Sequence, residues 1–250
     1  MVLRSKLLRF GTSLHSGKGQ AILKLRVTSS MRSTWAICVF LGCLAAGAGA
    51  ETIRFDAAKP GSLPSGWAVV MTHDGGAPKW EVRQDASAPS KPNVLAQVSS
   101  DRTDGRFPMA ILNTADYCDG ELSVKFKTVA GRADQAAGIV WRYRDPNNYY
   151  LVRANALEDN IVMYRVQDGN RILLAPRGKP PKTYGVRHRI PAHTWSILKV
   201  SFRKSRFEVY FDHRKVFEAE DSTFALPGKV GLWTKADSVT YFDDFQFSGK

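Results

Sequence analysis

From residue 51 onward, apolar and polar positions alternate in short runs that are closed every few residues by Gly, Pro, Asn or Asp. "WAVVMT" (67–72), "ELSVKFKTV" (121–129) and "RFEVYF" (206–211) show the period of two that sends successive side chains to opposite faces of a pleated strand. Fifteen such runs lie between "TIRFD" at 52 and "VTYFDDFQF" at 239, and none carries the apolar period of a long amphipathic helix. Strands at this density, joined by turns such as "DPNN", "EDN" and "QDGN", predict an all-β antiparallel sandwich. Asp168-Gly169 is the sharpest turn signal, because Asp-Gly favours the primed hairpin turns. Three consecutive hairpins are therefore expected over residues 137–175 as a meander, followed by a long loop at 176–193 with four prolines and many basic residues.

The same period assigns faces within the first of these hairpins. Ile139, Trp141 and Tyr143 share one side of their strand, opposite Gly138, Val140, Arg142 and Arg144. On the next strand Tyr150, Val152 and Ala154 oppose Tyr149, Leu151, Arg153 and Asn155. A guanidinium is costly to bury without partners, so the face of Arg142 and Arg153 is expected to be the solvent side of the sheet.

Charge changes this picture less than its total implies. The chain carries 36 Lys and Arg against 23 Asp and Glu, a net +13, but seven of those bases and none of the acids lie in residues 1–50. The remainder is left with 29 bases against 23 acids, a mild excess of six. From Met31 the sequence reads "MRSTWAICVFLGCLAAGAGA", with a positive charge, an apolar run from about Trp35 to Ala46, and small residues ending at Ala50. That is the order of regions in a secretory signal peptide, with residues 1–30 an upstream extension and cleavage after Ala50. A secreted or periplasmic protein with no transmembrane segment in the mature chain is expected, since no run after residue 50 is long enough to span a bilayer. The competing reading of the acid-free leader is an organelle transit peptide. Export leaves residues 51–250 as one domain, in which Cys118 is alone and no intramolecular disulfide can form.

Few motifs carry chemistry. His73, His188, His193 and His213 lack metal-ligand spacing, and the early "GTSLHSGKG" fails as a phosphate loop because five residues separate Gly11 from Gly17 and Gly19 follows Lys18. Trp195, at the head of a strand, reads as packing. The basic stretch at 176–193 (Arg177, Lys179, Lys182, Arg187, Arg189) could form an electrostatic patch. Export removes the usual nucleic-acid targets, however, so such a partner ranks third.

The runs "GIVWRYRDPNNYYLVR" and "YFDDF", with "HTWSILKVSFRKSRFEVYFDHRKVFEAED" between them, resemble the concanavalin A-like lectin and glucanase superfamily. Within it, the likeness is to bacterial exported domains grouped with 3-keto-disaccharide hydrolases. The resemblance covers about residues 51–249. It implies a jelly-roll sandwich of two curved antiparallel sheets whose concave side receives a carbohydrate or glycan, with Arg142, Arg153, Asn155, Trp233 and Lys235 facing the groove. Those residue types suit a sugar: Arg and Asn present planar donors to hydroxyls, and Trp presents a flat ring to a pyranose. The plainer alternative makes the arginines neighbours on a wet face and Trp233 part of the core.

Family-16 glucanases carry Glu-x-Asp-x-x-Glu, which neither "EAED" (218–221) nor "LEDN" (157–160) matches. A glycoside hydrolase of the keto-sugar type remains the rival to simple binding, with Glu158, Asp159 and Asp237 as its candidate carboxylates. The alternative for these three is that they cap turns. An interaction domain with no sugar ligand is a further possibility. No cofactor is required; the resemblance implies at most a structural calcium between the first and last strands, held by Asp56, Asp243 or Asp244.

Overall fold

A computed structural model describes residues 49–249, all within one compact unit, Ala45–Lys250. The stretch expected to be a signal peptide, 31–50, and the expected extension before it therefore lie outside the described residues, apart from Gly49 and Ala50. In chain order the strands are β1 (Glu51–Ile53), β2 (Trp67–Thr72), β3 (Trp80–Gln84), β4 (Asn93–Gln97), β5 (Phe107–Tyr117), β6 (Gly120–Ala130), β7 (Ala136–Asp145) and β8 (Asn148–Asn155). They continue as β9 (Asn160–Gln167), β10 (Asn170–Leu174), β11 (Val186–Arg187), β12 (Ser196–Arg203), β13 (Arg206–Phe211), β14 (Arg214–Glu220), β15 (Gly228–Trp233) and β16 (Val239–Gly249). Each of the fifteen expected runs is a strand or overlaps one. The additional strand, β11, lies in the expected loop, where it pairs with β9.

Two antiparallel sheets result. The first has the order β14-β13-β12-β6-β16-β4-β3, with β1 also on β16; the second runs β10-β9-β8-β7-β15-β5-β2, with β11 also on β9. The expected meander is β7 to β10, and its Asp168-Gly169 turn has positive φ at both residues, 50° and 79°, as a type I′ hairpin requires. Between the sheets, Ile139, Trp141, Tyr150, Val152 and Leu232 pack against Phe126, Val200, Phe202, Phe207 and Val209. Trp141 stacks on Tyr150 at 5.4 Å and meets the edge of Phe207 at 5.3 Å. Burying each such side chain contributes about 1.5–3 kcal/mol, which suffices to hold the sheets face to face.

The second sheet is strongly curled. On a flat sheet, β10 and β5 lie five strand spacings apart, about 24 Å. Yet the Arg171 guanidinium on β10 sits 4.6 Å from the ring centroid of Phe107 on β5. Likewise Tyr149 on β8 shares a 2.8 Å hydrogen bond with Thr72 on β2, four spacings away. The face turned from the sandwich core is thus concave, and side chains that point outward point at one another. Phe107, Met109, Val140, Tyr149, Leu151, Val162 and Trp233 form a second buried cluster there. The expectation of a solvated face is corrected: curvature makes this side an interior.

Candidate functional site

Strand parity holds along β8: Tyr149, Leu151, Arg153 and Asn155 all lie on the concave side, and Tyr150, Val152 and Ala154 on the core side. It fails on β7. Arg142 has φ 45°, and the ladder with β8 shifts between Trp141 and Asp145, the signature of a β-bulge. Gly228 on the neighbouring strand admits the bulge, since a β-carbon there would lie 2.6 Å from the Arg142 carbonyl carbon. Past this point the faces exchange. Tyr143 joins the concave cluster, and Arg142 turns into the end of the sandwich. Its guanidinium donates to the carbonyls of Cys118 (2.9 Å), Phe224 (2.8 Å) and Lys204 (2.7 Å), and lies 5.7–5.9 Å from the rings of Tyr150, Phe202 and Phe207. The expectation that Arg142 faces the groove is therefore corrected; it ties three loops together from inside.

The concave face has two ends of different chemistry. At the aromatic end, Phe107 meets Trp233 at 5.3 Å, Tyr143 meets Tyr149 at 6.1 Å, and Arg171 lies over Phe107 and Tyr164. Trp233 is fully buried, in space left open by Gly138, whose added β-carbon would meet Trp233 at 3.2 Å and Leu151 at 2.8 Å. The indole was expected as a ring for a sugar; it is instead packed beneath its neighbours.

At the polar end, Arg153 is buried and donates to Glu158 (2.8 Å), Asn160 and the Tyr184 hydroxyl (2.9 Å), while Tyr164 and Tyr184 share a hydroxyl contact at 2.8 Å. Arg153 Nε has no acceptor among the described residues. Asn155 donates to Asp134 at 2.6 Å, and the Lys235 ammonium lies 3.1 Å from Asp134 and 2.9 Å from Asp104. Burial pushes the Asp134 carboxyl above the ordinary carboxylate value, outweighing Lys235 and helped by the neighbouring charge of Glu158. For Glu158, burial acts upward too, but the Arg153 charge and the Asn160 hydrogen bond outweigh it and hold the carboxyl below its usual value. Two nearby carboxylates are thus displaced in opposite directions. Tyr184, half of it exposed, stands beside them with its ring centroid 5.8 Å from the Arg153 guanidinium.

Of the expected groove residues, Arg153, Asn155 and Lys235 converge on this end. Of the expected carboxylates, only Glu158 does. Asp159 accepts from the Ile190 amide at 2.9 Å, and Asp237 accepts the amides of Arg132, Ala133 and Asp134, so each carboxylate ties down the backbone of a distant segment rather than capping its own turn. Asp134, Asn160 and Tyr184 were missed from sequence. The signal that could have found Tyr184 is a lone ring between Pro181 and Gly185 in a loop otherwise rich in bases.

The calcium expectation does not fit the residues present. Asp243 accepts the Ser90 amide and hydroxyl, both at 2.7 Å; Asp244 is paired with Lys125 and Arg54; and Asp56 accepts the Asn93 amide. Among the described residues no cluster of three or more His, Cys, Asp or Glu is placed to hold a metal ion. No helix among them is long and apolar enough to cross a membrane.

Two sheets in this order, one curled around its own outer face, define a concanavalin A-like jelly roll. Solved structures share it. The carbohydrate-binding module CBM66 from Bacillus subtilis superposes with a TM-score of 0.56 at 20% identity, over 74% of this chain and 96% of that one. The cellulose-induced protein Cip1 gives a TM-score of 0.56 at 10% identity, over 80% and 97%. A xylan beta-1,4-xylosidase from Bacillus halodurans C-125 gives 0.50 at 15% identity, over 79% of this chain and 39% of that longer one. No protein-family model and no curated protein matches the sequence.

Proposed function

We propose that this jelly roll is an exported carbohydrate-binding domain whose sugar site is the polar end of the concave face, around Arg153, Glu158, Tyr184 and Lys235. The observation that carries the reading is the gathering of planar donors, paired carboxylates and one half-exposed ring at a single end of a face that is otherwise packed shut. Tyr184 supplies the flat surface for a pyranose, and Glu158, Asn160 and Lys235 supply fixed hydrogen-bonding groups for its hydroxyls. The fold shared with a carbohydrate-binding module supports the ligand class. Export rests on the leader sequence.

A glycan array probed with the full chain, the Tyr184→Ala variant and the Glu158→Gln variant tests the reading. Loss of the ring is expected to weaken the retained glycan about 3- to 10-fold, the equivalent of about 0.7–1.4 kcal/mol of stacking. Binding unchanged in both variants removes the site from this end, and an array on which nothing is retained favours an interaction domain without a sugar ligand. A second reading, glycoside hydrolysis, is favoured by the opposed displacement of Asp134 and Glu158, which is how an acid and a base are set apart in one site. Release of reducing ends by the full chain but not by Glu158→Gln would support it.

A further inference from the structure

A groove of about 390 Å³ lies on the opposite side of the molecule, on the outer face of the first sheet, lined among others by Ser123, Lys125, Lys199, Tyr210, Gln246 and Phe247. Two β-bulges border it. The β13–β14 ladder shifts between Val209 and Tyr210, and the β16–β6 ladder between Asp243 and Gln246, where Asp244 adopts φ 46°. Bulges re-aim side chains, and here one turns Asp244 onto Lys125 at 2.7 Å. Lys199 is paired with Glu121 at 2.7 Å and lies 5.3 Å from the centroid of the Tyr210 ring.

The same face continues along β6. Lys127 is paired with Asp85 and sits 5.2 and 5.4 Å from the ring centroids of Trp195 and Tyr241. Trp195, read from the sequence as packing, is half-buried here and donates from Nε1 to Ser87 at 3.1 Å. From Glu121 to Lys127 is six residues of strand, about 20 Å. The strip is therefore long and narrow, with rings at both ends.

Its charge decides the ligand class. Lys127 and Lys199 each hold a carboxylate of their own and Lys125 shares Asp244 with Arg54, so these lysines are paired and the strip is close to neutral, a poor lure for an anionic polymer. The ion pairs instead fix donors and acceptors in place. Ser123 and Gln246, without side-chain hydrogen bonds to other described residues, add further capacity. Fixed polar groups of both kinds, interleaved with rings, suit a ligand with hydroxyls on its rim and C–H faces between them. We infer that this strip is a second binding site, for a neutral oligosaccharide chain. The inference rests on the carbohydrate-binding reading for its ligand class, though not for its place.

Amide chemical shifts of the isotope-labelled full chain test it, with cellotetraose and xylotetraose as neutral probes and tetragalacturonate as the charged one. A neutral probe is expected to move Ser123, Lys199, Tyr210 and Gln246, with binding weakened at least threefold in Tyr210→Ala. Tyr184→Ala separates the two faces, because it bears only on the concave site. Shifts confined to Arg153, Glu158 and Tyr184 overturn the second site and leave the first standing. Shifts on the strip with the charged probe alone overturn the neutral class. No shift on either face with any probe overturns both.

Discussion

The outward face of the second sheet and the outward face of the first are built from the same alternating pattern, yet one is an interior and the other carries an open groove. Trp233 and Tyr149 on the former are fully buried, while Tyr210 on the latter lines the groove. The difference is curvature. When Arg171 on an edge strand reaches Phe107 five strands away, outward side chains exclude water from one another. Alternation tells which residues share a face; it does not tell how wet the face is.

The largest effect expected from this contrast is on stability. Trp233→Ala empties the floor of the concave cluster and is expected to cost about 3–5 kcal/mol, as for other buried aromatic truncations. Tyr210→Ala on the other face is expected to stay within about 0.5 kcal/mol. Urea denaturation of the two variants measures both, and equal costs would dissolve the distinction between the faces.

Arg142 and Arg153, eleven positions apart in one hairpin, sharpen the comparison at the next level. Both are buried, but the first satisfies backbone carbonyls inside the sandwich and the second a carboxylate, an amide oxygen and a hydroxyl at the polar end. Arg142→Met leaves three carbonyls without their donor. It is expected to cost about 3 kcal/mol, read from the same denaturation curves, without altering the glycan preference of the protein that remains folded. A changed preference at full stability would return Arg142 to the binding surface.

The smallest effect concerns acid. Glu158 has a folded-state carboxyl held below its ordinary 4.5, so its contribution to stability is present above that value and is lost as pH falls through the folded one. Glu158→Gln should flatten this part of the acid limb in melting temperatures taken from pH 6 to pH 3. An unchanged limb would mean that Arg153 does not depend on this partner in the folded protein.

Much of the architecture was legible in the chain. The period of two located the strands, with the hairpins of β7 to β10 and the Asp168-Gly169 turn, because these depend on local backbone preference and on nearest-neighbour pairing. β11 was hidden by the prolines and bases around it, since its two residues are ordered by pairing with β9. The site was less legible. Arg153 and Asn155 were anticipated on one side because parity carries along a regular strand, whereas Lys235 was placed there only by the family resemblance and Glu158 only as a carboxylate near a strand end. Arg142 was misplaced because a single bulge, admitted by Gly228 about 86 positions later, exchanges the faces.

The sequence by itself determined that this protein is a sandwich of short antiparallel strands, which residues alternate, and that guanidinium groups in its central hairpin are costly to bury without partners. Tertiary structure alone decided that these guanidinium groups are buried and which partners they have, that one outward face is packed shut except at its polar end while the other carries a groove, and that Asp134 and Tyr184 stand beside Arg153. The reason is range. Strand period and turn type are set by residues a few positions apart, whereas sheet curl, bulge registration and the meeting of distant loops arise only when strands far apart in the chain are packed together.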